Sequence, residues 1–201
     1  MLLLKHRKIF KRKNHQNIME AFSWILIIFG IIVLSVIIIY NSLIRLRNTA
    51  NTSWAQIDVQ LKRRADLIPN LINTVKGYVK HEKKTLEEIT KARTDIMKGK
   101  DVNKKLAASN QLSAALKTLF AVSENYPDLK ANKNFMMLQE ELSGTESKIA
   151  YARQAYNDSI LSLHNKLQTF PSNIIANLFG FKEKEYFKIT ESDRRNVKVE
   201  F

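Results

Sequence analysis

The sequence has no cysteine, and its 201 residues include only five glycines and three prolines. Without cysteine the chain can form no disulfide framework, no thiol nucleophile and no cysteine-ligated metal site. Turn-rich sandwiches and barrels need glycine or proline at short intervals, so this scarcity favours long helices with few connections. The sequence therefore predicts an all-α protein, either one ordinary domain or a smaller domain with a membrane anchor.

Recognisable catalytic motifs are also missing. Four residues after His81 stands Thr85 rather than the second histidine of a zincin helix, and neither His81 nor His164 follows a glutamate by three positions, as a di-iron bundle requires. The glycines lie too far apart for a phosphate loop, and no Gly-x-Ser-x-Gly marks a nucleophile. We predict no catalytic residue, no metal and no cofactor, and we interpret the protein as not an enzyme.

A long apolar segment is the first feature that is present. Residues 21–44 carry no formal charge, and a helix of this length measures about 36 Å against roughly 30 Å of hydrocarbon. Trp24 and Tyr40 lie near its two ends, where aromatic rings favour the headgroup level. A cleaved signal peptide has a shorter apolar region and a small-residue cleavage site, which does not follow Tyr40. The segment predicts a retained single-pass signal anchor.

The net charge of +14 is distributed unevenly around that anchor. Residues 1–20 contain six lysines and arginines, whereas only Arg45 and Arg47 follow the anchor within the next 15 residues. Positive charge is retained on the cytoplasmic side, so we expect a cytoplasmic N-terminus and a bundle outside. The basic segment should also attract anionic lipid of the bilayer.

Beyond the anchor, two long stretches show helical periodicity. Apolar residues recur at spacings of three and four over residues 46–79 and again over residues 135–170. Pro69 should kink the first helix locally, and Pro171 should end the last one. Each stretch forms about 54 Å of helix, so the two can pair as the long members of an antiparallel, coiled-coil-like bundle.

Two shorter helices are expected between them. Thr85 and Glu88 form a candidate capping box, which favours a helix start there. Val79 and Leu86 keep the apolar phase, which favours one continuous helix, so residues 80–85 stay open between a turn and a helix.

The next connection has clearer boundary signals. Gly99 suits the end of a helix and Asp101 the N-cap of the next, which should stop before Pro127.

These patterns predict five segments and a fold class. The fold is all-α, with an N-terminal transmembrane helix continuing into an elongated antiparallel bundle of three to four long helices. The segments are a basic N-terminal tail (1–20), the transmembrane helix (21–44), the helical bundle (45–170), a short aromatic amphipathic segment (171–190) and a mobile polar tail (191–201).

The aromatic segment is a candidate membrane-surface element. If four helices alternate in direction, the fourth returns toward the bilayer and brings residues 172–187 to it. The candidate membrane-surface residues are Phe179, Phe181, Tyr186 and Phe187.

The first bundle helix also carries a mostly polar stripe beside its apolar seam. A solvated face, a buried polar network that fixes helix register and a partner-binding groove are alternative interpretations. Nearby basic residues are interleaved with acids and lack stacking aromatics, which makes nucleic acid an unfavoured partner. The candidate interaction residues are Asp58, Arg63, Asp66, Asn70 and Asn73.

Four runs of the sequence are specific enough to compare with a known family. The first is YNSLIRLRNTANTSWAQIDVQLKRRADLIPNLINTVKGYVKHEKKTLEEITKAR at residues 40–93. The others are ENYPDLKA (124–131), LQEELSGTESKIAYARQAYND (138–158) and FPSNIIANLFGFKEKEYF (170–187). These runs resemble the LemA family of bacterial membrane proteins, and the resemblance covers residues 18–190 in the family's order and spacing. His164 departs from it, since a tyrosine is expected before Asn165.

The resemblance implies one N-terminal membrane helix followed by a helical bundle, and it supplies no reaction. Genes of the family often stand beside those for membrane zinc metalloproteases, which makes a membrane metalloprotease a candidate partner. We therefore expect a membrane-anchored interaction or scaffold protein of the bacterial cell envelope. The alternatives are an enzyme accessory subunit, or an envelope enzyme with a site on the polar stripe. A homo-oligomer also stays open.

Overall fold

The computed structural model describes residues 2–79, 82–99 and 101–187, with side chains described for 19, 20 and 22 onward within those ranges. Every regular element in them is an α-helix, which confirms the all-α prediction. The predicted mobile tail, 191–201, lies outside the described residues. The helices are α1 (Leu2–Val75), α2 (Lys83–Lys98), α3 (Val102–Ser123), α4 (Pro127–Lys130), α5 (Lys133–Gln168) and α6 (Ser172–Leu178).

Helix α1 contains the predicted basic tail, the predicted anchor and the first apolar seam. Residues 22–39 form its apolar part, where most large hydrophobic side chains are 41–65% exposed and Val36 and Ile39 are partly buried. By length and composition this part can cross a membrane. Farther along, seam residues such as Leu61 and Ile68 are buried. Pro69 lies inside the helix without ending it.

The connection between α1 and α2 answers the question that the periodicity left open. Helix α1 ends at Val75, whose carbonyl accepts a hydrogen bond from the Val79 amide at 3.1 Å, and α2 begins at Lys83. The continuous-helix alternative is therefore wrong. The predicted capping box is wrong too, because α2 begins two residues before Thr85. The Thr85 side chain lies on the buried face of α2, one turn before Ile89.

The boundary between α2 and α3 follows the prediction. The carboxylate of Asp101 accepts a hydrogen bond from the Lys104 amide at 2.8 Å, and this backbone hydrogen bond lowers the pKa of Asp101. Gly99 ends α2 with an ordinary φ of −60°. A Cβ there would lie 2.8 Å from Cγ of Lys105, so glycine permits a close approach rather than a left-handed turn.

The described chain divides into two compact units. Unit 1 comprises Met1–Arg47 and His164–Glu183, and unit 2 comprises Asn48–Leu163 and Lys184–Phe201. In unit 2 the last part of α1 packs with α2, α3 and α5 around one apolar core, which confirms the predicted helical bundle. Unit 1 has a small core of its own, built by Leu43, Ile175 and Ala176.

Candidate interaction site

Two residues of the predicted polar stripe bind neighbouring helices. Arg63 donates a hydrogen bond to Glu141 of α5 at 2.8 Å, and both side chains are about half exposed. Asp58 pairs with Lys105 of α3. Because these two ion pairs reach different helices, they link α1 to α5 and to α3.

The other three stripe residues, Asp66, Asn70 and Asn73, are exposed on α1. The five side chains thus follow one long helix and do not converge, and their exposure argues against a buried polar network. The structure leaves a polar, solvated face on α1, and the role of these residues in interaction stays a prediction.

The sequence analysis missed the most deeply buried charge of the described chain, Arg64. This side chain is 3% exposed, and its guanidinium pairs with Glu146 of α5 and donates to Ser113 of α3 at 2.9 Å. Ser113 also donates to Glu146 at 2.9 Å. Burial lowers the pKa of Arg64, and the carboxylate of Glu146 opposes that effect. The contacts of the Arg64 guanidinium therefore connect α1 to α3 and α5.

A signal for Arg64 was present in the sequence. Arg64 follows Leu61 by three residues and precedes Ile68 by four, and both neighbours belong to the apolar seam. It stands in the run Lys62-Arg63-Arg64, whose composition is that of an exposed basic cluster. Helical phase, rather than local composition, separates the buried arginine from its exposed neighbours.

A groove of about 380 Å³ opens beside this cluster. Leu116, Phe120 and Leu142 supply its apolar wall. Arg64 supplies a charged edge, and its Nε finds no hydrogen-bond partner among the described residues. None of the five predicted stripe residues lines this groove.

The predicted membrane-surface aromatics divide between the two units. In unit 2, Phe187 is buried, with its ring centroid 5.0 Å from that of Tyr156 and 5.7 Å from that of Trp54. This burial places Phe187 in the bundle core and argues against a membrane-surface role for it. Tyr186 is 37% exposed.

Tyr156 holds the same segment through its hydroxyl, which donates to the Glu185 carbonyl at 3.1 Å. Burial, followed by the negative charge of Glu185, raises the pKa of Tyr156.

In unit 1, Phe179 and Phe181 lie against Tyr40, the aromatic residue near the end of the apolar part of α1. The ring centroids are 4.8 Å and 5.9 Å from that of Tyr40. The guanidinium carbon of Arg47 lies 5.5 Å from the Phe181 ring centroid, within cation–π range. Phe181 is partly buried, whereas half of the Phe179 side chain is exposed.

Within residues 2–79, 82–99 and 101–187, no three histidine, aspartate or glutamate side chains come together as a metal site would require.

Comparison with known proteins identifies relatives. Residues 53–201 match the model of the LemA family. The chain is 28% identical over 159 residues to Protein LemA of Metamycoplasma hominis. The aligned region covers 78% of this chain and 72% of that protein. The family match includes the whole region of α2 to α6.

Further similarity is found to two magnetosome proteins. Magnetosome protein MamQ 2 of Paramagnetospirillum magneticum is 23% identical over 175 residues, and Magnetosome protein MamQ of Magnetospirillum gryphiswaldense is 24% identical over 174 residues. Each match covers 74% of this chain and 64% of the relative, so the chain spans somewhat less than two thirds of these proteins. None of the relatives' names describes a chemical reaction.

Proposed function

The chain belongs to the LemA family, and we propose that it is a single-pass, membrane-anchored interaction or scaffold protein of the bacterial cell envelope without catalytic activity of its own. One observation carries this proposal: helix α1 contains both an uncovered apolar stretch and the buried seam of the bundle. The proposed membrane segment and the helical bundle thus share one element of secondary structure.

Anchoring is supported by the exposure of the apolar part of α1. Most of its large side chains over residues 22–39 are 41–65% exposed, while Val36 and Ile39 pack partly against α6. Full burial of each such side chain is worth about 1.5–3 kcal/mol, so leaving the whole segment in water would be very unfavourable. A bilayer would cover this apolar surface, and the helix pairs its own backbone polar groups, as a membrane span requires.

For orientation we propose a cytoplasmic N-terminus with the bundle outside. The support is the excess of basic residues in 1–20 over the two that follow the anchor. The chain has no cysteine of its own, so Met137→Cys gives one thiol on an exposed part of α5. A membrane-impermeant maleimide should label this thiol in intact spheroplasts. Labelling only after lysis would reverse the proposed orientation.

The proposed interaction surface is the polar face of α1 around Asp66, Asn70 and Asn73. These side chains are exposed, whereas Asp58 and Arg63 are engaged within the bundle. Specific binding by such a face depends on charge and hydrogen-bond complementarity. The candidate partners are a membrane protein, with a membrane metalloprotease as one case, and a second copy of the chain. We do not propose nucleic acid.

The alternative of an enzyme site on this stripe has no specific support. Catalytic groups must converge on one reacting position. Here Asp58 and Arg63 bind two different helices and the remaining residues face outward.

A photo-crosslinking amino acid at Asn70 tests the interaction surface in intact membranes, with Met137 of α5 as an exposed control position. We expect a discrete adduct from position 70 and none from position 137. Asp66→Lys should weaken that adduct, because it reverses a charge on the binding face. An adduct of twice the chain's 23.3 kDa would identify a second copy as the partner. Absence of any adduct from membrane-inserted protein would contradict the interaction surface.

A further inference from the structure

Helix α6 has one face that unit 1 covers. Ser172, Ile175 and Ala176 are buried, and the two apolar residues pack against Leu43 of α1. Their spacing places all three on the same side of the helix. This contact holds α6 against the end of the apolar part of α1.

The opposite face of α6 is apolar and uncovered. Ile174 and Leu178 lie one turn apart and are 58% and 75% exposed. Phe170 before the helix and Phe179 after it are 79% and 51% exposed. Exposed apolar residues are ordinary when they are scattered, but four large ones within ten positions form a patch that calls for an occupant.

Charge is absent from the same stretch. Residues 167–181 contain no lysine, arginine, aspartate or glutamate, although such residues make up 26% of the chain. Lys166 and Lys182 border the stretch on its two sides. An uncharged apolar segment between cationic residues matches the boundary between acyl chains and anionic headgroups.

The position of the patch beside the proposed anchor favours the bilayer as its occupant. Phe179 contacts Tyr40, and Ile39 and Val36 of the apolar part of α1 pack against the α6 core. The uncovered face therefore adjoins the surface that the proposed anchor gives to lipid. Aromatic rings at this depth and the nearby Arg47 are the side chains that favour the headgroup level.

We propose that α6, with Phe170 and Phe179, inserts its outer face into the bilayer interface beside the transmembrane helix. It gives the protein a second lipid contact in the leaflet on the bundle side. This inference rests on the proposed membrane anchor. It also changes the predicted set of membrane-surface residues. Phe179 stays, Phe187 belongs to the bundle core, and the inserting side chains are Phe170, Ile174, Leu178 and Phe179.

The test uses the full chain in vesicles of phosphatidylethanolamine and phosphatidylglycerol. An environment-sensitive fluorophore is attached to a single cysteine in each of three variants. Leu178→Cys is the test position, Tyr151→Cys is an exposed control on α5, and Phe29→Cys is a control within the anchor. Iodide quenching reports contact with water, and quenching by a lipid with a nitroxide near its headgroup reports contact with the interface. Circular dichroism checks that each variant keeps its helix content.

We expect the label at position 178 to be quenched by iodide about fivefold less than that at 151, and to be quenched strongly by the nitroxide lipid. Ile174→Cys should give the same pattern, and it replaces Leu178→Cys if that variant loses helix content. Equal iodide access at 178 and 151, with position 29 protected, would overturn the proposal while leaving the anchor intact. Iodide access at position 29 would instead contradict the anchor. Protection at 178 without nitroxide quenching would assign the patch to a protein partner or a second copy, and would also overturn the proposal.

Discussion

Asn157 of α5 holds both backbone polar groups of Phe187, thirty residues farther along the chain. Its Oδ1 accepts a hydrogen bond from the Phe187 amide at 2.9 Å, and its Nδ2 donates to the Phe187 carbonyl at 3.4 Å. The clamp places the Phe187 ring between Trp54 and Tyr156. A segment without regular structure thereby completes the core of unit 2.

Phe187→Ala should therefore destabilise the bundle. Removing a buried aromatic ring loses its transfer free energy and leaves a cavity, at a cost of about 3 kcal/mol. Urea unfolding of the detergent-solubilised protein, followed by circular dichroism, measures the change. Tyr186→Ala is the matched control, because this neighbouring side chain is partly exposed and should cost much less. Equal losses for the two variants would contradict the buried position of Phe187.

The ion pair between Arg64 and Glu146 should behave as a coupled unit. Glu146→Gln leaves a buried guanidinium without its carboxylate, and we expect a loss of about 1–3 kcal/mol, limited because Glu146 is half exposed. Arg64→Met removes the buried charge, fills a similar volume and should cost less than about 1 kcal/mol. The double variant should resemble Arg64→Met, and additive losses in urea unfolding would contradict the coupling.

Glu141→Gln is the control for that cycle. It breaks the pair with Arg63, in which both side chains are about half exposed. Exposed ion pairs contribute about 0–1 kcal/mol, so this variant should unfold almost as the unmodified protein does.

Periodicity predicted the buried seam of α1 because a ten-turn helix repeats its signal many times. Leu61 and Ile68 are buried as that pattern required. Single positions were harder to predict. Arg64 lies in phase with the seam, and its charge can be buried there because Ser113 and Glu146 pair with it. These partners come from other helices, so no local pattern could reveal them.

The aromatic segment shows the same limit. Its composition indicated a membrane surface, yet composition alone gives Phe179 and Phe187 the same role. What distinguishes Phe187 from Phe179 is its hydrogen bonding to Asn157, a residue thirty positions earlier in the chain, which holds Phe187 in the bundle core. The start of α3 was predictable because the side chain of Asp101 caps it locally. The predicted helix start at Thr85 was wrong because this side chain is buried within α2 rather than placed at its N-cap.

The acid stability of the bundle should depend in part on Asp101. Its folded pKa is lowered below the usual 3.8 by the hydrogen bond from the Lys104 amide, so it stabilises the folded state above that value. This contribution is lost as the pH falls through the lowered folded pKa. Asp101→Asn keeps a good N-cap without a titrating group, and should match the unmodified protein at neutral pH while losing less stability in acid. Parallel acid losses in thermal unfolding at a series of pH values would contradict this role.

Two glycines should respond oppositely to the same substitution. A Cβ on Gly144, in the interior of α5, would meet no atom within 4 Å beyond its own stretch of helix, so Gly144→Ala should stabilise the protein by about 0.5–1 kcal/mol through helix propensity. At Gly99 a Cβ would approach Cγ of Lys105 to 2.8 Å and the Asp95 carbonyl to 3.1 Å. Lys105 cannot move freely because it pairs with Asp58, so Gly99→Ala should cost about 1 kcal/mol. Adding Asp58→Ala to Gly99→Ala should reduce that cost, because it frees Lys105 to move. Urea unfolding measures these three variants and Asp58→Ala alone, which is the reference for the double variant. A stabilising Gly99→Ala would show that α2 and α3 approach each other less closely than the structure indicates.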